Sequence, residues 1–316
     1  MPALKKIGFV SDPLENYDRK AEMTLFLMHE AAKRHIEIFQ WEISDLIFED
    51  ENVLAKAKKL EMTSDPQNFY KILDEKKINV TDLDSLFLRK DPPFDLAYLH
   101  HLYLLAKAED QILMINRPTG LMVGNEKMIA FDFPFYPPTV VTNNRESLKE
   151  TVRKNKKGSV LKPLHEAGGR DIFRVGPETK NLEEILKKVS NNFRHPIICQ
   201  HYIKEVEKEG DKRILLFNGK IIGAFSRFPK EGEFRANLHQ GGHFTHVELT
   251  EQDRKIVDAC IPQLQKMGLY LAGLDLIGPY LTEINVTSPM GTREINETSS
   301  IVSEKIIFEE LLNFKF

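Results

Sequence analysis

The chain has 316 residues, enough to bury a sizeable core and to form two or three lobes. Its 44 Lys and Arg residues nearly balance 47 Asp and Glu residues, and the formal charge of −3 excludes the basic surface with which proteins bind nucleic acid or anionic membranes. No apolar run is long enough for a membrane span or a signal peptide. The two cysteines, Cys199 and Cys260, exclude a disulfide framework and indicate a reducing compartment. We therefore expect a cytoplasmic protein with neither a nucleic-acid nor a membrane partner.

The first 123 residues alternate between strand and helix patterns. Residues 19–35 carry apolar side chains at helical spacing, and further helical stretches fall between the predicted strands. The strands are predicted at 5–10, 36–41, 84–90 and 112–116. This rhythm predicts a parallel, doubly wound α/β lobe over residues 1–123. Such sheets place functional residues beyond the carboxyl ends of their strands, where SDP (11–13) and RKDPPFD (89–95) lie.

The pattern changes to two α+β units after residue 123. Over 124–201, strands at 159–164 and 172–175 are joined by a glycine-containing loop and flanked by helices, which predicts a lid. The unit 202–316 contains a hairpin with a type I′ turn at Asn218-Gly219, a polar loop at 227–243 and a helix at 250–267. A closing hairpin and a helix beginning near Glu297 complete the chain.

The closing hairpin, LAGLDLIG-PY-LTEIN, contains carboxylates in apolar surroundings. With a three-residue loop, Ile277 pairs with Leu281, and Asp275, Glu283 and Asn285 share one face. With a two-residue loop, Asp275 points to the other face. Two buried carboxylates repel each other unless a cation joins them, and an all-oxygen set suits Mg²⁺ or Mn²⁺ and not zinc. The alternative is that both carboxylates lie on an edge strand and face water.

A magnesium site indicates a phosphate-bearing substrate. The chain has neither a GxxxxGK[ST] nor a GxGxxG motif. It has two isolated lysines instead, Lys127 in NEK and Lys162 in VLKP, and the second precedes Ala167-Gly168-Gly169. A glycine pair between strands can place backbone N–H groups over a polyphosphate. Read singly, however, such lysines are usually solvated and such glycine pairs are usually turns.

A third group of candidates is cationic. Arg227 ends a predicted strand, Arg235 and Asn237 follow in the EFRAN loop, and Arg89 and Arg293 lie in other turns. The guanidinium fork recognises carboxylates, so this group favours an anionic substrate. Scattered surface arginines are the alternative interpretation.

Taken in chain order, these segments resemble bacterial glutathione synthetase, a family with the ATP-grasp fold. The resemblance covers about residues 4 to 300. Its most specific segments are LRKDPPFD and TEINVTSP, while LKP with its glycine loop is general to ATP-grasp enzymes. It implies an N-terminal α/β lobe followed by two α+β lobes that clamp ATP.

The resemblance also implies roles for individual residues. Lys127 and Lys162 would hold the ATP phosphates, and the lid loop would close over them. The remaining nucleotide contacts would come from Glu166, Ala167, Gly168, Gly169, Gln200, His201, Tyr202, Ile203 and Asp211. Two Mg²⁺ or Mn²⁺ ions would be held by Asp275, Glu283 and Asn285. The acyl substrate and its developing charge would face Arg227, Arg235, Asn237 and Ser288.

The implied reaction is ATP-driven synthesis of an amide. A carboxylate of γ-glutamylcysteine attacks the γ-phosphate to give an acyl phosphate, and glycine then displaces phosphate. The family resemblance also implies a homotetramer.

Three segments depart from the family pattern. The lid reads LHEAGG where the family typically has LDGMGG, the substrate loop reads RANLHQGG where RGNLAAGG is usual, and Met290-Gly291-Thr292 follows TSP where a cysteine is usual. Two alternatives therefore stay open: an ATP-grasp ligase with a different acceptor, and an ATP-binding regulatory protein without turnover.

Overall fold

A computed structural model describes residues 4–65, 67–166, 168–230, 233, 236 and 242–314. Within these ranges the chain forms three β-sheets and nine α-helices. None of the helices in the described ranges combines the length and the apolar character that a membrane crossing requires. Cys199 and Cys260 are both buried free thiols.

The first sheet has seven strands in the order β3-β4-β2-β1-β6-β7, and β5 pairs with β4. The strands are β1 Lys6–Ser11, β2 Glu37–Trp41, β3 Leu46–Glu49, β4 Asn52–Met62, β5 Tyr70–Asn79, β6 Ser85–Arg89 and β7 Leu113–Ile115. The helices of this lobe are α1 Met23–Lys33, α2 Leu96–Leu105 and α3 Pro118–Val123. Strands β1, β2, β6 and β7 are parallel, which confirms the predicted α/β core.

The predicted helical stretch between the second and third parallel strands is wrong. Residues 46–79 form the antiparallel strands β3, β4 and β5 instead. In β4, Val53, Ala55, Ala57 and Leu60 are buried at nearly alternate positions, the period of a strand with one covered face. The many lysines resemble a helix surface in the sequence, but pairing with neighbouring strands overrides that preference.

The second sheet belongs to the central unit and is antiparallel in the order β10-β9-β11-β8. Its elements are β8 Thr139–Thr142, α4 Arg145–Lys154, β9 Ser159–Pro163, β10 Phe173–Val175, α5 Leu182–Val189 and β11 Ile197–His201. Leu148 and Leu186 of the two helices pack with Leu161 and Cys199 of the sheet in a separate core. These elements agree with the predicted α+β unit. Its limits at 124 and 201 stay a prediction.

The third sheet has the order β14-β13-β12-β15-β16. Its elements are α6 Val206–Glu209, β12 Asp211–Phe217, β13 Lys220–Phe228, β14 His243–His246, α7 Glu251–Lys266, β15 Leu271–Ile277, β16 Tyr280–Asn285, α8 Thr292–Thr298 and α9 Ser303–Leu312. The predicted turn at Asn218-Gly219 is confirmed by φ angles of 47° and 84°. The last helical segment begins at Thr292, earlier than predicted.

The first and third sheets share a hydrophobic core. Leu86 and Met114 of the first sheet belong to the same buried cluster as Leu274 and Ile284 of the third. The third sheet is therefore anchored against the N-terminal lobe, and the polar side chains on its strands have little freedom to move.

Candidate active site

The closing hairpin places its polar residues on one face, by a different route from the one expected. Ile277 pairs with Tyr280, so the loop is the two residues Gly278-Pro279, the alternative for which Asp275 was expected to point to the other face. A β-bulge between Asp275 and Leu276 then shifts the register by one residue. Asp275 still pairs with Glu283, because the bulge cancels the effect of the shorter loop. Asn285, two residues after Glu283, lies on the same face.

Neighbouring strands bring three more charged side chains to this face. Arg213 on β12 pairs with Asp275 on β15, and Asp211 lies two residues before Arg213. Asp211 pairs in turn with Arg227 on β13. Arg213 was missed among the candidate residues, although GDKR carries the signal: residues two apart in a strand share a face.

The Asp275 carboxylate is clamped by arginines. It is 4% exposed, and Arg213 binds it with Nε to Oδ1 and with Nη2 to Oδ2 at 2.9 Å. Arg227 Nη2 lies 2.9 Å from the same Oδ2 and 2.7 Å from Asp211 Oδ2. Asn285 Nδ2 donates to Asp275 Oδ2 at 3.1 Å. Burial alone would raise the pKa of Asp275, but Arg213 and Arg227 hold it well below its ordinary value.

Asp211 behaves in the opposite way. Burial raises its pKa to about 7 against the opposing effect of Arg227, and the charge of Asp275 adds to the rise. Its Oδ1 is buried and has no hydrogen-bond partner within the described part of the chain. Arg227 Nε is likewise buried without a partner there. The cluster thus contains an acceptor and a donor that internal contacts leave unused.

The two predicted phosphate lysines lie beside this cluster. Lys127 is 4% exposed, and its Nζ is 3.1 Å from Glu283 Oε1 and 2.5 Å from the Glu166 carbonyl oxygen. Lys162 Nζ donates to Gln200 Oε1 at 3.0 Å. Burial lowers the pKa of Lys162; Glu283 opposes this effect and Lys127 adds to it. An anion in contact with both ammonium groups would relieve that unfavourable charge.

Glu126, the neighbour of Lys127 in NEK, was also missed. Its Oε1 accepts bonds from the backbone N–H groups of Val286 and Thr287 at 2.8 and 2.9 Å and from Thr287 Oγ1 at 2.7 Å. The glutamate therefore fixes the chain directly after Asn285 and ties it to the turn that carries Lys127. In the sequence, its position next to the candidate residue Lys127 could have identified Glu126 as a further site residue.

The predicted metal ligands share the expected chemistry but do not form a closed cage. Among the residues that the structure describes, no group of three His, Cys, Asp or Glu side chains could enclose a metal ion by itself. Two carboxylates, a carboxamide and the unpartnered oxygen of Asp211 are nevertheless oxygen donors of the kind that Mg²⁺ prefers when phosphates complete its shell. The residues present thus fit a divalent cation that arrives with a nucleotide.

The other predicted nucleotide contacts lie around the central sheet. Gly168 and Gly169 have φ angles of 65° and 74°, so the lid loop uses backbone conformations that glycine tolerates best. Tyr202, 8% exposed, lies under the Arg174 guanidinium at 3.6 Å and donates its hydroxyl to Glu207 at 2.9 Å. Ile203 is buried beside it, while His201 bonds Pro138 through its backbone. Ala167 lies outside the described residues.

The residues predicted to face the acyl substrate are only partly described. The Ser288 hydroxyl is buried and has no hydrogen-bond partner within the described part of the chain. Burial raises the pKa of the nearby Asp91 carboxyl group. Fully buried Arg89 donates Nη1 to the Pro289 carbonyl oxygen at 3.0 Å, which holds this turn against the N-terminal lobe. Arg227 lies in the carboxylate cluster described above. Arg235 and Asn237 lie outside the described residues, and their roles stay predictions.

Comparison with known proteins agrees with this arrangement. Residues 5–122 match the N-terminal domain of prokaryotic glutathione synthetase, and residues 126–300 match its ATP-grasp domain. The chain is 38% identical over 299 residues to glutathione synthetase of Vibrio cholerae serotype O1, covering 94% of this chain and 93% of that protein. It is 36% identical over 293 residues to glutathione synthetase of Coxiella burnetii, covering 92% and 91%.

A solved structure with a similar fold is that of D-cycloserine synthetase DcsG, with a TM-score of 0.66 at 14% identity over 97% of this chain and 99% of that one. At that identity the likeness concerns the fold alone. The two domain matches together account for most of the chain, and they confirm the ATP-grasp fold expected from the sequence. The chain belongs to the prokaryotic glutathione synthetase family.

Proposed function

We propose that this protein joins γ-glutamylcysteine to glycine at the expense of ATP, releasing ADP and phosphate. Membership of the glutathione synthetase family supports the reaction class. The observation that carries the proposal is the meeting of Asp275, Glu283 and Asn285 on one strand-borne face with Lys127 next to them. Such a set of oxygen donors and ammonium groups suits a metal-bound polyphosphate.

The lysines neutralise charge on the nucleotide. Lys127 and Lys162 are held here by Glu283, Gln200 and the Glu166 carbonyl group. Phosphate oxygens can take the place of these acceptors and leave each ammonium group with a stronger partner. Asp275, Glu283 and Asn285 would hold Mg²⁺ or Mn²⁺, which supplies Lewis-acid stabilisation of the transferring phosphoryl group.

The arginines serve the acyl substrate. Its carboxylate oxygen forms a bond to the γ-phosphorus while the bond to ADP breaks, giving an acyl phosphate. The glycine amine then attacks the acyl carbon, loses a proton, and phosphate leaves. Arg227 would donate to the oxyanion of this second step, and its buried Nε, which lacks a partner among the described residues, supports this role. Arg235, Asn237 and Ser288 complete this end of the proposed site.

The test is phosphate release from Mg²⁺·ATP with γ-glutamylcysteine, measured with and without glycine. Release that needs both substrates, with a product of the mass of glutathione, is expected. Release that is indifferent to glycine would point to another acceptor, which the changed lid and substrate loops make the second candidate. Nucleotide binding without any release would contradict catalysis and favour a regulatory protein.

Assembly and location remain further proposals. The family resemblance supports a homotetramer in the cytoplasm. Light scattering of the purified protein tests the first, with a mass about four times that of the chain expected and a monomer as the contradicting result. Fractionation of cells tests the second.

A further inference from the structure

The short lid segment Leu164–Glu166 separates two cavities. One cavity, of about 440 Å³, lies on the side of α5 and is lined by His165, His195, Lys188 and Asp171 among others. The other, of about 80 Å³, lies toward the N-terminal lobe and is lined by His165 with Lys127, Glu126 and Thr287. Within the described residues, two titratable side chains, His165 and Glu166, therefore line both cavities.

Charged groups approach His165 from each surrounding element. Lys127 comes from the turn before β8, Glu166 from the lid itself, and His195 from the segment before β11. Lys188 on α5 lines the same cavity but is paired with Asp171 at 2.8 Å, so these two charges largely offset each other. Although His165 is exposed at the surface, the atoms around its imidazole remove part of its hydration and lower its pKa. Lys127 and His195 lower the pKa further, and Glu166 opposes them.

Lys127 connects the histidine to the nucleotide site. Its ammonium group contacts the carbonyl oxygen of Glu166, the residue directly after His165, and the Glu283 carboxylate. A polyphosphate bound to Lys127 would bring several negative charges into the surroundings of the imidazole. Those charges would oppose the repulsion from Lys127, because the terminal phosphate of a nucleotide carries close to two negative charges near neutral pH and each inner phosphate carries one.

We infer that His165 responds to bound nucleotide: its imidazole takes up a proton when the phosphates of a nucleotide bind at Lys127. The inference rests on the proposed nucleotide site and adds to it a residue that senses occupancy. The proton comes from solvent, and no covalent bond other than the new N–H bond is formed.

The sign of the pH dependence follows from linkage. A ligand that binds together with a proton gains affinity as the pH falls through the interval between the free and bound pKa values. Each unit by which the nucleotide raises the pKa of His165 corresponds to as much as a tenfold gain in affinity at the acidic end. The terminal phosphate of the nucleotide also titrates near pH 6. Therefore only the difference in proton uptake between the variants reports the titration of His165.

The experiment is calorimetric titration of the full chain with Mg²⁺·AMP-PNP at about pH 6.5, near the ordinary histidine pKa. Two buffers of different ionisation enthalpy give the number of protons taken up per nucleotide. His165→Gln removes the titrating group, and His195→Gln is the matched control, because both imidazoles are exposed and line the same cavity. The unsubstituted protein and His195→Gln should take up a substantial fraction of a proton more than His165→Gln.

Equal proton uptake by His165→Gln and the unsubstituted protein would overturn the inference. Because the nucleotide would still bind, this result would not contradict the proposed nucleotide site. Loss of the extra proton in His195→Gln alone would also overturn it, by assigning the proton to the other imidazole. Failure of all three proteins to bind the nucleotide would contradict the proposed function and this inference together. The affinity ratio between the unsubstituted protein and His165→Gln should also rise several-fold as the pH is lowered from about 7.5 to 5.5.

Discussion

The strand-borne cluster and the lid loop meet at Lys127, but they hold their side chains in different ways. Asp275 is 4% exposed, and both of its oxygens are bound by Arg213 on the neighbouring strand. His165 is exposed and lies in a loop whose Gly168 and Gly169 have positive φ angles. In the first region the register of the sheet fixes the positions of the charged side chains. In the second region the conformation of the loop determines where the side chains lie.

This difference separates two tasks. Stabilising a transferring phosphoryl group needs charges that do not have to reorganise, which a buried sheet face supplies. Admitting substrates and then excluding water needs a cover that can change conformation, which a glycine-containing loop supplies. The departures of this chain from its family pattern lie in the loops and after TSP, not among Asp275, Glu283 and Asn285. We therefore expect the loop differences to affect the recognition of substrates more than the phosphoryl transfer itself.

Asp275→Asn should have the largest effect, because it breaks the rigid region at its centre. The change leaves two buried guanidinium groups without a full counter-charge, and we expect it to cost about 3–5 kcal/mol of unfolding free energy. Phosphate release should be lost as well. Denaturant unfolding measures the first effect. The control is Asp258→Asn, an exposed position on α7 that should change stability by less than about 0.5 kcal/mol; equal losses would contradict the clamp.

Glu283→Gln should separate function from folding. Glu283 is more exposed than Asp275, and glutamine retains an acceptor for Lys127, so we expect a stability loss of only about 1 kcal/mol. Phosphate release should fall by at least about a hundredfold, since a glutamine oxygen holds a divalent cation less strongly than a carboxylate does. A steady-state assay at several Mg²⁺ concentrations checks this. Activity equal to that of the unsubstituted protein at every Mg²⁺ concentration would argue against a metal-binding role.

Arg213→Lys tests the register argument. A lysine keeps the charge but cannot form the two-pronged contact with Asp275 or reach the Met290 carbonyl oxygen at the same time. We expect a loss of about 2 kcal/mol in unfolding free energy. Arg153→Lys, at an exposed position on α4, is the matched control and should be neutral. If both variants unfold at the same denaturant concentration, the clamp contributes little.

Asp211→Asn should give the smallest effect, visible as a change in pH dependence. A carboxyl group whose pKa is about 7 in the folded chain and about 3.9 when unfolded binds a proton only in the folded state between those values. Its contribution to stability therefore falls as the pH rises from about 4 to about 7. The variant should lack this fall, so its stability relative to that of the unsubstituted protein should rise as the pH goes from about 4 to about 8. Parallel pH profiles would contradict the raised pKa.

The sequence predicted the parallel strands and the α+β units because their periodicity is a local property. It could not predict β3–β5, since lysine-rich β4 becomes a strand through its neighbours. In the site, the shared face of Asp275 and Glu283 was predicted for the wrong reason. The actual loop is shorter, and a bulge whose position depends on packing compensates for it. Arg213 was missed because its importance depends on which strand lies beside β12.

We predict that the face formed by Asp275, Glu283 and Asn285 binds the metal of the nucleotide. Crystals grown with Mn²⁺ and AMP-PNP test it most directly, because anomalous scattering locates the ion without assumptions about its ligands. We expect manganese within bonding distance of oxygens from these three side chains, with phosphate oxygens completing its coordination shell. Manganese bound elsewhere, with Asp275 still clamped by Arg213 and Arg227 and Glu283 still paired with Lys127, would contradict it.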